Sequence, residues 1–164
     1  MKILIKKEHQ QSTLTVHDAG SVKEIVQEVL KLYQDCQFAL NQEKIVIRQG
    51  LTELIINSIE HGALGMGSQK KYELKRKGQG AYESYLNNKI KNSNKTIEIE
   101  YSEHNNKVEI RIFDYGNGFA WKQQLMAVEA EKDGKGVWIA KNSFDELTYN
   151  DIGNCTKAIV YKGN

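Results

Sequence analysis

Apolar residues recur at every second position in some stretches of this chain and at every third or fourth in others, and the two spacings divide it into elements. Alternation marks strands over residues 2–6, 12–16, 95–102 and 107–114, the last two joined by a turn at His104, Asn105 and Asn106. Two further strands, 146–150 and 156–161, complete the set. Helical spacing runs over 21–34, where Ser21 with Glu24 three residues later reads as an N-terminal capping box, and over the longer stretch 43–61. Residues 65–92 are also largely helical, with interruptions at Gly78 and Gly80. There is no proline, repeat or linker composition. The expectation is a single α+β domain over 1–164, a two-layer α/β sandwich with helices on one side of a mixed, mainly antiparallel sheet.

Three stretches depart from plain core patterning. In the helix 43–61, Glu53, Asn57 and His61 follow one another at four-residue steps among Leu51, Leu54, Ile55 and Ile59. Each step drifts by only about 40°, so the three form one polar stripe. Burying an unpartnered amide alone costs about 2–7 kcal/mol, so the stripe is expected to face a polar ligand or a wet cleft. In the strand 107–114, Val108, Ile110 and Ile112 share a face, and parity puts Asp114 on it, aimed inward. Gly116 and Gly118 follow, where missing side chains allow a sharp turn and the approach of a flat ligand. Third, Gly134, Lys135 and Gly136 lead into the apolar run Val137, Ala140, Phe144, which places two glycines and a cation at a helix N-terminus, a setting suited to phosphate. A solvated helix face, a turn and a flexible loop explain each stretch singly.

In this order and spacing the three stretches resemble the N, G1 and G2 boxes of the Bergerat-fold ATPases, the gyrase and histidine-kinase group. The pattern Glu53-Leu54-x-x-Asn57-x-x-x-His61-Gly62, the run Gly134 to Ala140, and Phe144 to Asn150 followed by Gly153 and Asn154 are most similar to the bacterial anti-sigma-factor serine kinases. The resemblance spans residues 20–162 and implies the Bergerat ATP-binding fold with ATP and Mg2+ as ligands. It assigns Asn57 to the magnesium ion, Glu53 to the role of catalytic base, and Asp114 to the adenine amine. Gly116 and Gly118 would shape the adenine pocket, Gly134, Lys135 and Gly136 would hold phosphate, and Thr156 would line the adenine side. His61 would orient Glu60 or the following loop, or simply close the helix. Residues 120–133 would form a nucleotide lid.

The implied activity is an ATP-dependent serine/threonine protein kinase that phosphorylates an anti-sigma-factor antagonist and regulates a sigma factor, with homodimer formation among the expectations. A non-catalytic, ATP-gated partner-binding module is the alternative, and the catalytic half of a split histidine kinase a more remote one. Two features depart from simpler relatives: Lys135 stands where arginine or histidine is common, and the segment 66–92 is long, either a partner-binding element or an extra helical layer.

Bulk properties agree with a soluble, cytoplasmic bacterial protein. The 164 residues, 40% hydrophobic, are enough for one core, and no apolar run approaches the ~20 residues of a membrane span. Cys36 and Cys155 lack metal-type spacing and read as free thiols. The net charge of +2 hides a basic stretch, eight basic residues against two acidic ones between Gly65 and Lys95. Such a stretch is more often a solvated face than a nucleic-acid surface, and Tyr72, Tyr82 and Tyr85 within it read as packing residues.

Overall fold

The architecture is that of a computed structural model, which describes residues 1–34, 43–119, 121–122 and 135–161. The strands are β1 (Lys2–Lys7), β2 (Gln10–Thr15), β3 (Thr96–Glu103), β4 (Lys107–Phe113), β5 (Glu146–Tyr149) and β6 (Cys155–Tyr161). They form one open sheet in the order β2-β1-β3-β4-β6-β5, with β1 parallel to β3 and every other pair antiparallel. The sheet is therefore mixed and mainly antiparallel, as the alternation predicts.

Cross-strand register sorts the side chains by face. Ile3 pairs with Ile97, Ile99 with Ile112, Tyr101 with Ile110, and Ile110 with Ala158, all of them buried. The opposite face carries charge: Lys6 Nζ lies 2.5 Å from Glu98, and Arg111 Nε donates to Glu109 at 2.7 Å. With its other face mainly charged, apart from Ile159 buried beside Glu109, the sheet needs its covering layer chiefly on one side. The core runs from that apolar face through Ile25 and Val29 of α1 (Ser21–Gln34), Leu51 and Ile55 of α2 (Glu43–Asn57), and Leu86 and Ile90 of the helix Gln79–Lys91. The result is an α+β structure consistent with two layers. Among the described residues no helix is long and apolar enough to cross a membrane.

Three local features differ from the sequence pattern. Ser21 is not the cap of α1. Asp18 Oδ1 accepts the Ser21 N–H at 2.9 Å and Ser21 Oγ accepts the Asp18 N–H at 3.4 Å, so Asp18 is the cap and Ser21 the reciprocal partner three residues on. The first-turn bond from Lys23 N–H to Gly20 O explains the shift, because the turn has begun before Ser21. Second, the stretch 43–61 is not uniformly α-helical: after Asn57 it passes into a π-helical turn, Ser58–Ala63, in which Leu64 N–H reaches back five residues to Ile59 O at 2.9 Å. Third, residues 65–92 fold as α3 (Ser68–Arg76) and α4 (Gln79–Lys91). The break falls at Gly78, whose φ of 108° disfavours any residue with a Cβ, while Gly80 lies inside α4. The short helix α5 (Lys135–Lys141) packs against α2.

Candidate functional site

Packing of α5 on α2 decides where the polar stripe faces. Gly50 abuts Ser143 and Phe144, with 2.7 Å separating the position of a Gly50 Cβ from Phe144 Cε2. At the other end, a methyl group on Gly136 would run into Glu53 Oε2 and lie 3.9 Å from Asn57 Nδ2. The stripe Gly50, Glu53, Asn57 therefore looks at α5, and the missing side chain of Gly136 leaves room for the two polar groups beyond it. Glu53 and Asn57 are both half-buried.

His61 leaves that stripe. The π turn advances the chain by less rotation per residue than an α-helix, so the four-residue step no longer returns to the same face. His61 Nδ1 instead donates to the Met66 carbonyl oxygen at 2.5 Å, and its Nε2 stands 3.9 Å from Glu60. It pins the loop after the turn, which is the loop-orienting role rather than that of a plain helix-end residue. Glu60 is the residue that spacing alone did not single out. It is 0% exposed, and Lys71 Nζ of α3 and Tyr82 Oη of α4 both donate to its carboxylate. The clue in the sequence was a lysine and a tyrosine in the basic stretch, but nothing in their spacing points to residue 60.

Asp114 sits just past β4, on the face of Ile112 as parity requires, and is half-buried. Burial pushes its carboxyl up to about 6, opposed by the Gly116 N–H, which donates to Oδ1 at 2.8 Å. Gly62, the last residue of the first motif, is packed so closely on the Asp114 carboxyl that a methyl group there would collide with it. The two glycines after Asp114 make room for the chain itself. The position of a Gly116 Cβ lies 2.5 Å from Gly62 O, and a Cβ on Gly118, whose φ is 75°, would collide with Ile152 O. The loop is thereby laid on the β5–β6 turn, where Asn154 Nδ2 donates to Gly116 O and Phe119 N–H to Ile152 O at 2.9 Å. Asn150 Oδ1 holds that turn by accepting three backbone N–H groups, those of Gly153, Asn154 and Cys155.

Thr156 is buried opposite Ile112, on the Asp114 side of the sheet, and hydrogen-bonds Tyr149, whose phenol burial pushes up to about 12. Phe119 meets Tyr149 edge-on at 5.2 Å and Trp121 lies 5.6 Å from it. The structure therefore brings Glu53, Asn57 and Gly136 together at one place, and Asp114, Gly116 and Gly62 at another, with the π turn between. Lys135 opens α5. Gly134 and nearly all of the expected lid, 120 and 123–133, lie outside the described residues, as does Cys36. Cys155 is a half-buried free thiol. Compared with known proteins, the chain matches no protein-family model and no curated protein.

Proposed function

We propose that this chain is a Bergerat-type ATP-binding domain that phosphorylates a serine of an anti-sigma-factor antagonist and so regulates a sigma factor. One observation carries the reading. Two segments far from residues 53–62 in sequence meet that stretch: the α-carbon of Gly136 lies against Glu53 and Asn57, and the carboxyl of Asp114 against Gly62.

The donor set fits magnesium. Among the described residues no three His, Cys, Asp or Glu side chains form a metal-holding group, but magnesium bound with a nucleotide needs few protein oxygens, since phosphate and water supply the rest. Asn57 offers one such oxygen, with Glu53 beside it. When bound, Mg-ATP supplies a transferable phosphoryl group with its charge neutralised. Glu53 takes the proton of the attacking serine hydroxyl. Asp114 accepts a hydrogen bond from the exocyclic amine of adenine, where guanine would set a carbonyl against a carboxylate. Gly134 and Lys135 are assigned to phosphate from the sequence.

Calorimetry should show Mg-ATP and Mg-ADP bound in preference to GTP, and equal affinity for GTP would sink the adenine assignment. In a phosphate-transfer assay with the antagonist, Glu53→Gln should keep nucleotide affinity while transfer falls by roughly 10²–10⁴-fold. A wild-type protein that binds Mg-ATP and its partner but transfers no phosphate is the ATP-gated binding module instead.

A further inference from the structure

The basic helical pair α3–α4 has no part in the site so far, yet it supplies both donors to Glu60. Lys71 comes from α3 and Tyr82 from α4, and they hold a wholly buried carboxylate in the middle of the π turn. Glu60 is also fixed through its backbone, its carbonyl accepting the Met66 N–H at 2.7 Å. Asn57 enters this turn and Gly62, packed on Asp114, is near its exit, so the site stands on both of its ends. In an unbroken α-helix, residues seven apart drift by only about 20°, which would put Glu60 back on the stripe of Glu53. The buried position of Glu60 thus depends on the π register. A cleft of about 390 Å³ between α1, the turn and α4, lined by Ile56, Ile59 and Glu60, leaves the turn space to change register.

We propose that Lys71 and Tyr82 are positioning residues: by clamping Glu60 they hold the π turn in the register that sets Asn57 and Gly62 at the site, which makes α3–α4 a control element for nucleotide binding. Without a donor, a buried carboxylate oxygen is left unsatisfied, and the turn relieves it by reverting to the α register. That change carries Glu60 toward half-exposed Glu53 and draws Gly62 off Asp114. The effect on nucleotide rests on the function proposed above; the effect on the turn does not.

The test compares Tyr82→Phe, Lys71→Met and Lys71→Arg with Leu74→Ala, a buried apolar change in α3, outside the lining of that cleft, that serves as the control for lost stability. Mg-ADP affinity is measured by calorimetry well below each melting temperature, and amide hydrogen exchange is followed without nucleotide. Tyr82→Phe and Lys71→Met should weaken Mg-ADP by about tenfold and speed exchange at residues 57–66 and 114–116 beyond the Leu74→Ala control, with Lys71→Arg restoring both. Affinity and exchange that merely track the control would overturn the proposal. If the wild type binds no adenine nucleotide, the proposed function falls and exchange alone decides: faster exchange in those segments sustains the clamp, and unchanged exchange removes it.

Discussion

Glu53 and Glu60 are carboxylates seven residues apart on one continuous helical run, and their surroundings are opposite. Glu60 is 0% exposed and holds two side-chain donors, whereas Glu53 is half-buried, faces the bare α-carbon of Gly136, and makes no hydrogen bond or ion pair among the described residues. A buried carboxylate with a donor on each oxygen is fixed in place and serves structure. One that is half desolvated and unclaimed keeps its capacity for a proton or a ligand. A single change of helical register separates the two roles, since both residues would otherwise share a face.

The contrast breaks most visibly at Lys71. Lys71→Met strands a buried charge and should lower the free energy of unfolding by about 3–5 kcal/mol, measured by urea denaturation at pH 7. A loss below about 1 kcal/mol would mean that Glu60 finds water or another donor, and the two carboxylates would then not be opposites.

The glycines around them divide in the same way. Gly118→Ala puts a methyl group into Ile152 O at a left-handed φ, a backbone collision that should cost about 1–3 kcal/mol of stability. Gly136→Ala meets instead the far end of Glu53, a flexible side chain, so its stability loss should be smaller and its main effect a weakened Mg-ATP affinity. Similar melting temperatures for the two variants would contradict the division.

Asp114 lies between the extremes. Its native pKa of about 6 is above the ordinary 3.8, so between those values the native state binds more protons than the unfolded chain. Its contribution to stability is fully present below about pH 4 and is lost as pH rises through about 6. Asp114→Asn should flatten the pH dependence of the urea midpoint across that window. Adenine affinity, which needs the ionised acceptor, should rise over the same range in the wild type and fall by about 1–3 kcal/mol at pH 7 in the variant. The smallest effect expected is on folding in Glu53→Gln, within about 0.5 kcal/mol of wild type by the same denaturation assay, because Glu53 has no hydrogen-bond or ion-pair partner among the described residues.

Elements built on one period were legible. The strand over 107–114 appears as Lys107–Phe113, and parity placed Asp114 on its apolar face. The helical stretch 65–92 and its break at Gly78 were readable too, but Gly80, read as a second interruption, lies inside α4, because composition does not tell a glycine that breaks a helix from one the helix tolerates. Of the candidate site, the proximity of Glu53 to Asn57 followed from their spacing. Their closeness to Gly136 did not, because it depends on how α5 lies across α2.

What the amino-acid sequence determined by itself was therefore local: the alternation that makes strands, the 3.6-residue recurrence that makes helices, and the inward parity of Asp114. Each depends on neighbours a few positions away, which a linear pattern records. Tertiary structure alone decided the π turn, the burial of Glu60 and the exit of His61 from the polar stripe. The bonds that enforce that turn come from Lys71 and Tyr82, 11 and 22 residues from Glu60. Whether a helix closes its bonds at four residues or five is set by which partners reach its side chains, and that is known only once α3 and α4 have packed.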